Sequence, residues 1–530
     1  MRRGVCLAAA VLALACGPAA RAQAPARPPP VAAAPQPSAL PKDWAQRGVF
    51  VEIYVRGYQD SNGDGIGDLN GVTQRLDYLQ QLGIDGIWLM PVFKSEDHDH
   101  GYAVVDYREI EPDYGTLADF DRLLAEAHKR GIAVILDYVM NHSSSAHPLF
   151  EDSYDHRKSP YADWYLWKED RPKGWNTFAG DPWREGNQRW YYAVFDSGMP
   201  DFNLRNPAVV DFHLDNLRFW LNHGVDGFRF DAVGVLFENS AVAWENQPEN
   251  HALLKRVQDL LAEYGNRYMV CEAPSDPAPF AAADSCGSAF AFGIHKHLMG
   301  SVKIGRVLPD LLYNLGKLPV ARMGTMLANH DYFAGARLFK QFGGDEKSYR
   351  VAAAALLTLP GIPFVYYGEE IGLAQTEGGG NDDPAIRGPM SWSAEPNAGF
   401  SSAKPFRANV TNWKTHNVIA EQANPDSLLN WYRGLIALRN AEPALSVGSF
   451  KPLSEKDAPI FAFTREQDGT HLLVLINFAY RDATLALPAG FQATAWQPVF
   501  PAGAKPAFAL KGGKLEVRLA AQQVQILKER

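Results

Sequence analysis

The sequence predicts an α/β protein: a (β/α)8 barrel, a subdomain inserted after the third strand, and an antiparallel β-sandwich at the C-terminal end. Three observations carry this prediction. From Asp43 onward, short apolar runs alternate with helical patterns. Several of those runs end in acidic residues. From about Ser446 the pattern changes to closely spaced strands separated by turn residues.

The opening segment stands apart from the fold. Arg2 and Arg3 precede an apolar run from Val5 to Ala15, and Ala20-Arg21-Ala22 offers a small-x-small cleavage site. Residues 1–22 therefore read as an export signal, too short in its apolar part to span a bilayer as a helix. Cys16 makes a poor lipid-attachment site, because Ala13 stands where Leu is expected. The expected location is periplasmic or secreted. Residues 23–41 hold seven prolines among alanines, the composition of an extended spacer.

Eight strand candidates follow, at 49–55, 84–90, 132–139, 227–233, 268–272, 289–294, 324–328 and 362–367. Helical patterns such as 117–130 and 209–223 lie between them, as parallel βαβ units require. Pattern alone is also compatible with a doubly wound open sheet. Two insertions interrupt the alternation. One, at 143–200, carries Trp164, Trp167, Trp175, Trp183 and Trp190; the other, 372–424, is polar and Gly-rich. A loop of such length is usually functional or a small subdomain. Asp426 is the expected cap of a helix with Leu428, Leu429, Tyr432, Leu435 and Ile436 on its apolar face. The expected domains are a barrel at 42–445 and a β-sandwich at 446–530, with strands at 459–464, 471–478, 483–487 and 523–527.

Composition narrows the function classes. The 530 residues are 46% hydrophobic and 21% charged, an ordinary globular balance. A formal charge of −9 argues against a nucleic-acid binder. No segment after the signal has the apolar length of a transmembrane anchor. Beyond the signal only Cys271 and Cys286 remain, so one disulfide is compatible but a disulfide scaffold is not.

The chemistry lies at the strand ends, where a barrel builds its site. One candidate strand ends in Asp137-Tyr138-Val139-Met140-Asn141-His142, and the next carries Arg229-Phe230-Asp231. Another ends in Glu272, and a fourth in Asn329-His330-Asp331. A single Asp at a strand end often just caps a helix. Several carboxylates and two histidines converging on one face need a use or a partner. Arg229, two residues before Asp231, points to the same side and can hold that carboxylate ionised.

These segments, with Met199-Pro200-Asp201-Phe202-Asn203-Leu204, resemble in order and spacing the signature regions of the α-amylase family of glycoside hydrolases. The resemblance extends from about Asp43 to the C-terminus. It implies retaining cleavage of an α-glucosidic bond in malto-oligosaccharides or starch-derived α-glucans. Asp231 would be the nucleophile and Glu272 the general acid, then base. Asp331 would bind sugar hydroxyls, His142 and His330 would donate to the same ring, and Arg229 would keep Asp231 charged. Asp99-His100-Gly101-Tyr102 resembles a family segment in which Tyr102 stacks beneath the sugar and Asp99 closes the pocket. Arg387, in a segment similar to the oligo-glucosidase branch, would pair with Asp99.

Asp60-Ser61-Asn62-Gly63-Asp64-Gly65-Ile66-Gly67-Asp68 alternates oxygen donors with glycines, which suits Ca²⁺. The same branch carries this loop as a structural calcium site, implying Asp60, Asn62, Asp64, Ile66 and Asp68 as ligands. A hydrated turn held by side chain–backbone bonds is the alternative.

Gly234-Val235 stands where endo-acting members carry Lys-His, which favours short malto-oligosaccharides. Ala232, smaller than the Val of α-1,6-specific relatives, leans towards α-1,4 bonds. The run from Leu236 to His251 instead resembles trehalose synthase, which isomerises maltose. Transglycosylation or isomerisation is therefore the alternative to hydrolysis, and non-catalytic carbohydrate binding a remoter one.

Overall fold

The computed structural model describes residues 25–530 apart from 489–490, 493–494, 506–507 and 512–513. The expected export signal and the cysteines at positions 6 and 16 lie outside the described residues. Among the described residues, no helix is long and apolar enough to cross a membrane.

Seven parallel strands form the barrel wall: β1 Phe50–Ile53, β2 Gly86–Leu89, β3 Ala133–Tyr138, β4 Gly227–Phe230, β5 Tyr268–Cys271, β6 Gly324–Thr325 and β7 Ile362–Tyr366. They are ordered β5-β4-β3-β2-β1-β7-β6. The expected strand at 289–294 is reduced to a bridge. Ala289 pairs in parallel with Cys271 and Phe290 with Gly324, which joins the two edges of the sheet. It stops there because Phe292 already begins the helix Phe292–Ile304. The parallel closure settles the choice left open by pattern: this is a barrel, not an open sheet.

Alternation along each strand creates both core and site. Phe50, Ile135, Val270, Phe290 and Phe364 pack together as the barrel's inner core, while Val51, Val134, Leu136 and Phe228 pack in the outer core with the surrounding helices. One step further towards the C-terminal end, the same inward files carry Glu52, Asp137, Arg229 and Glu272. The bottom of the barrel is thus apolar and its top is charged. At Gly227 any Cβ would lie 1.9 Å from the Tyr268 carbonyl oxygen, so only glycine lets β4 and β5 approach.

Helices Leu117–Lys129 and Pro207–His223 flank the barrel, each opened by a side-chain cap, from Thr116 and Asn206 respectively. The insertion after His142 holds a helix, Pro148–Asp155, and a three-stranded sheet of Trp167–Lys168, Trp183–Gly186 and Arg189–Tyr192. Helix Leu428–Ala441 starts one residue later than expected. Ser427, not Asp426, accepts the bond from the Asn430 amide.

The C-terminal part packs a five-stranded antiparallel sheet against a three-stranded one, with Ile460, Leu473, Leu475, Val517 and Leu527 between them. Buried Arg465 ties this part to the barrel by donating to the carbonyl of Thr358, and donates within its own part to the Gly448 carbonyl.

The proline-rich segment departs from expectation. Over residues 25–41 it is not a detached spacer but lies along the barrel exterior. Arg27 pairs with Asp215, Asn222 brackets the backbone of Ala32 and Ala34, and Asn266 donates to the Leu40 carbonyl. Extended proline-rich backbone makes no internal hydrogen bonds, so its polar groups are open to such side chains. Cys271 and Cys286 form a disulfide, tethering the end of β5 to the turn before the 289–290 bridge.

Candidate active site

Arg229 is the hub of the site. Only 1% of it is exposed, and one guanidinium reaches three carboxylates: Asp137 at 2.8 Å, Asp231 at 2.7 Å and Glu272 at 2.8 Å. The sequence reading gave Arg229 a single partner; the barrel gives it three, because Asp137 and Glu272 end the strands on either side. The three acids compete for one cation, so they cannot all ionise alike.

Burial raises Glu272 above the usual carboxylate range, Arg229 opposes the rise, and the charge of Asp231 adds to it. Burial also raises Asp231, and Arg229 holds it down. The interaction between the two acid side chains separates them, raising Glu272 and lowering Asp231. The arrangement therefore favours a proton on Glu272 and a charge on Asp231. Ala232, directly after Asp231, sits in the left-handed region at φ 48°, and its amide donates to Glu272 Oε2 at 3.1 Å. This strained turn orients the acid beside its partner.

Asp331 lies across from them, pushed up to about 8 by burial and then by the charge of Glu272. Its contacts are His330 Nε2 at 3.2 Å and Arg387 at 3.2 Å. Tyr102 forms the floor, stacked on His330 at 5.5 Å. His142 is buried, its Nε2 has no partner, and burial lowers it to about 3, so it stands as a neutral ring facing the pocket.

One expected pairing is corrected. Asp99 is held by Arg407 at 2.8 Å and by the Tyr54 hydroxyl, not by Arg387. Arg387 turns instead to Asp331, to Asp383 at 3.1 Å and to the His330 carbonyl at 2.9 Å. Arg407 lies twenty residues further along the polar insertion, where nothing in the local sequence marks it.

All of Tyr102, His142, Asp231, Glu272, His330, Asp331 and Arg387 line one cavity of 740 Å³ at the C-terminal mouth of the barrel. Its outer wall is aromatic, from Phe178, Phe195, Trp244 and Phe333. Phe178 contacts Phe195 at 5.4 Å and Trp244 at 5.8 Å, joining the inserted subdomain to the loop after β4. Sequence reasoning singled out none of these four. It also passed over Glu52, the inward acid of β1, although the strand phase that selects Asp137 and Arg229 also selects Glu52.

The loop at 60–68 stands away from the cavity. Asp60 accepts from the amides of Asn62, Gly63 and Gly65 and from Ser401 Oγ; Asp64 accepts from the Ile66 amide. Asp68 accepts from the Ser61 and Gly71 amides and from Ser61 Oγ. A carboxylate has about four lone pairs, so Asp60 is saturated while Asp64 and Asp68 are not.

The family model "Alpha amylase, catalytic domain" matches residues 52–448. The chain is 37% identical over 487 residues to the trehalose synthase/amylase of Mycolicibacterium smegmatis, covering 81% of this chain and 82% of that one. It is 33% identical to an alpha-glucosidase of Pediococcus pentosaceus, covering 83% and 92%. Among solved structures, the alpha-glucosyl transfer enzyme XgtA superposes with a TM-score of 0.81 at 32% identity, covering 92% of this chain and 99% of that one. The trehalulose synthase MutB of Pseudomonas mesoacidophila MX-45 gives 0.79 at 28%, covering 92% and 99%. The chain belongs to the α-amylase family of glycoside hydrolases.

Proposed function

We propose that the protein is a retaining hydrolase of α-1,4-glucosidic bonds in malto-oligosaccharides. The carrying observation is that Glu272 and Asp231 share one guanidinium, at 2.8 and 2.7 Å, with their mutual interaction raising Glu272 and lowering Asp231, which favours an acid beside an anion. Glu272 gives its proton to the glycosidic oxygen, and the C–O bond to the leaving sugar breaks. Asp231 attacks the anomeric carbon from the opposite face and forms the glycosyl-enzyme ester. Glu272, now a carboxylate, takes a proton from water, whose oxygen attacks the same carbon and releases Asp231. Asp331, Arg387, His330 and His142 hold the glucosyl hydroxyls over Tyr102. Asp99, fixed by Arg407 and Tyr54, lies outside the cavity lining, and its place behind the ring is what the family resemblance implies.

The side chains of Phe178 and Phe333 line the cavity yet are 60% and 62% exposed, so its outer end is wet. That supports water as the acceptor. A second reading, transfer to a sugar hydroxyl with isomerisation, is supported by the same aromatic rim, which suits a retained leaving sugar, and by the relatives named trehalose synthase. Incubation with maltose, maltotriose, soluble starch, sucrose and isomaltose, with product identification, separates them. Glucose from maltose is expected; trehalose as the main product would overturn hydrolysis.

We further propose that the 60–68 loop holds a structural Ca²⁺. The donor set supports it: Asn62, Asp64 and Asp68 keep free lone pairs, no described hydrogen bond reaches the Ile66 carbonyl, and saturated Asp60 adds charge. Export to an oxidising compartment is proposed on the leader pattern and the Cys271–Cys286 bond.

A further inference from the structure

We infer that Glu52 is a positioning residue: as a neutral carboxylic acid it donates its proton to Nδ1 of His330 and so fixes that ring with its own proton on Nε2, beside Asp331.

The inference follows from counting protons around Tyr102. A tyrosine hydroxyl has one proton and two lone pairs. It meets three partners: Asp137 Oδ2 at 2.8 Å, Arg229 Nη1 at 3.2 Å and His330 Nε2 at 2.7 Å. Arg229 Nη1 has no lone pair to offer it, and its two protons go first to the nearer Asp137 and Asp231, so it makes at most a shared donor contact. Asp137 receives two other groups that can only donate, Arg229 on Oδ1 at 2.8 Å and Trp88 Nε1 on Oδ2 at 3.2 Å. An ionised Asp137 meets all three donors, so the tyrosine proton goes there. The Tyr102 oxygen then accepts from His330, and Nε2 must carry a proton.

A neutral imidazole with a proton on Nε2 has a bare Nδ1. That atom lies 2.6 Å from Glu52 Oε1, a hydrogen bond that needs a proton on the carboxyl. The alternative is an imidazolium facing a carboxylate. His330 is 1% exposed and flanked by Arg229 and Arg387, which disfavours a further cation. Burial lowers His330 well below its ordinary range, and the charges of Arg387, Arg229 and His100 lower it further. Burial raises Glu52 well above its ordinary range; Asp331 and Asp137 add to this, while Arg229 and the His330 amide, which donates to Oε1 at 3.3 Å, oppose it. The consequence for the pocket is a fixed donor on Nε2, which holds Tyr102 stacked beneath the ring and faces Asp331 at 3.2 Å.

The value of that fixed Tyr102 platform to a sugar rests on the reading of the pocket as a glucosyl site; the tautomer does not. The primary test is therefore substrate-free. Protein labelled with 15N-histidine distinguishes protonated from bare ring nitrogens, and loss of one signal set in His330→Gln assigns them. Burial places Asp137 at about 7, so the spectrum is taken at a pH of about 8.5, where it is ionised. The expected result is a protonated Nε2 and a bare Nδ1. A protonated Nδ1, alone or with Nε2, overturns the inference. Activity adds a second arm. Glu52→Gln keeps a donor for Nδ1 and should retain kcat/KM within about 5-fold, while Glu52→Leu should lose about 100-fold with its melting temperature measured alongside. Equal losses in both variants, or Glu52→Leu matching the parent, also overturn it.

Discussion

Replacing Arg229 with Leu tests the electrostatic design of the site. The guanidinium lies 2.7–2.8 Å from oxygens of Asp137, Asp231 and Glu272. With charge centres about 4 Å apart and an effective dielectric of about 20, each ionised partner gains about 4 kcal/mol of Coulomb energy. For Asp231 that corresponds to a rise of about 3 pK units when the cation is removed, since one unit is about 1.4 kcal/mol. A nucleophile must be ionised, so the acidic limb of kcat/KM should move up by up to that amount, and activity at pH 7 should fall at least ~100-fold. Stability follows the same sign. Without Arg229 the folded-state values of Asp137 and Asp231 climb further above the unfolded value of about 3.9. Their contribution is then fully present only at low pH and is lost as pH rises through the raised values. The variant should lose about 3–5 kcal/mol near pH 7 and distinctly less near pH 5. The assay is kcat/KM on an aryl α-glucoside from pH 4 to 9, with urea unfolding at both pH values. An unmoved acidic limb together with a stability loss independent of pH would refute the reasoning.

Other expectations are more local. Glu272→Gln should lower turnover of maltose by about 10²–10⁴-fold while leaving the fold intact by circular dichroism, because the amide cannot give or take the proton. Arg407→Ala leaves Asp99 with only Tyr54, so KM for maltose should rise about 10-fold with kcat changed less; an unchanged KM would remove Asp99 from the pocket wall. Chelation should lower the melting temperature, with recovery on adding Ca²⁺, and Asp64→Ala should abolish that response; a parent insensitive to chelation would reject the cation. Burial pushes Asp201 up to about 8, against bonds from Asn141 and the Val194 amide. Its contribution to stability is thus full below about 3.9 and lost as pH rises through about 8, so Asp201→Asn should flatten the fall in melting temperature between pH 5 and 8, read by calorimetry.

What the sequence made legible was what repeats locally. Strand ends mark Asp137 and Glu272, and alternation puts Arg229 and Asp231 on one side; the barrel brings these four together on one guanidinium. The same phase contained Glu52, but an acid inside a four-residue strand has no local mark of use; its partner His330 is 278 residues away. Arg407 was equally silent, meeting Asp99 across 308 residues of chain. The bridge at 289–290 was overread as a longer strand because Phe292 and Ile294, apolar in either state, belong to a helix packed on the barrel. The proline-rich segment was misjudged for a different reason. Its composition describes its own stiffness, whereas its position is set by Asp215, Asn222 and Asn266 on other elements.

The account rests on Asp231 as the covalent nucleophile. Incubation with a slow-turnover 5-fluoro-α-glucosyl fluoride, followed by peptide mass spectrometry, addresses that claim directly. The expected result is one fluoroglucosyl adduct on the peptide carrying Asp231, released slowly by water and absent from Asp231→Ala. No adduct with a turned-over reagent, or an adduct on Glu272 or Asp331, would contradict it.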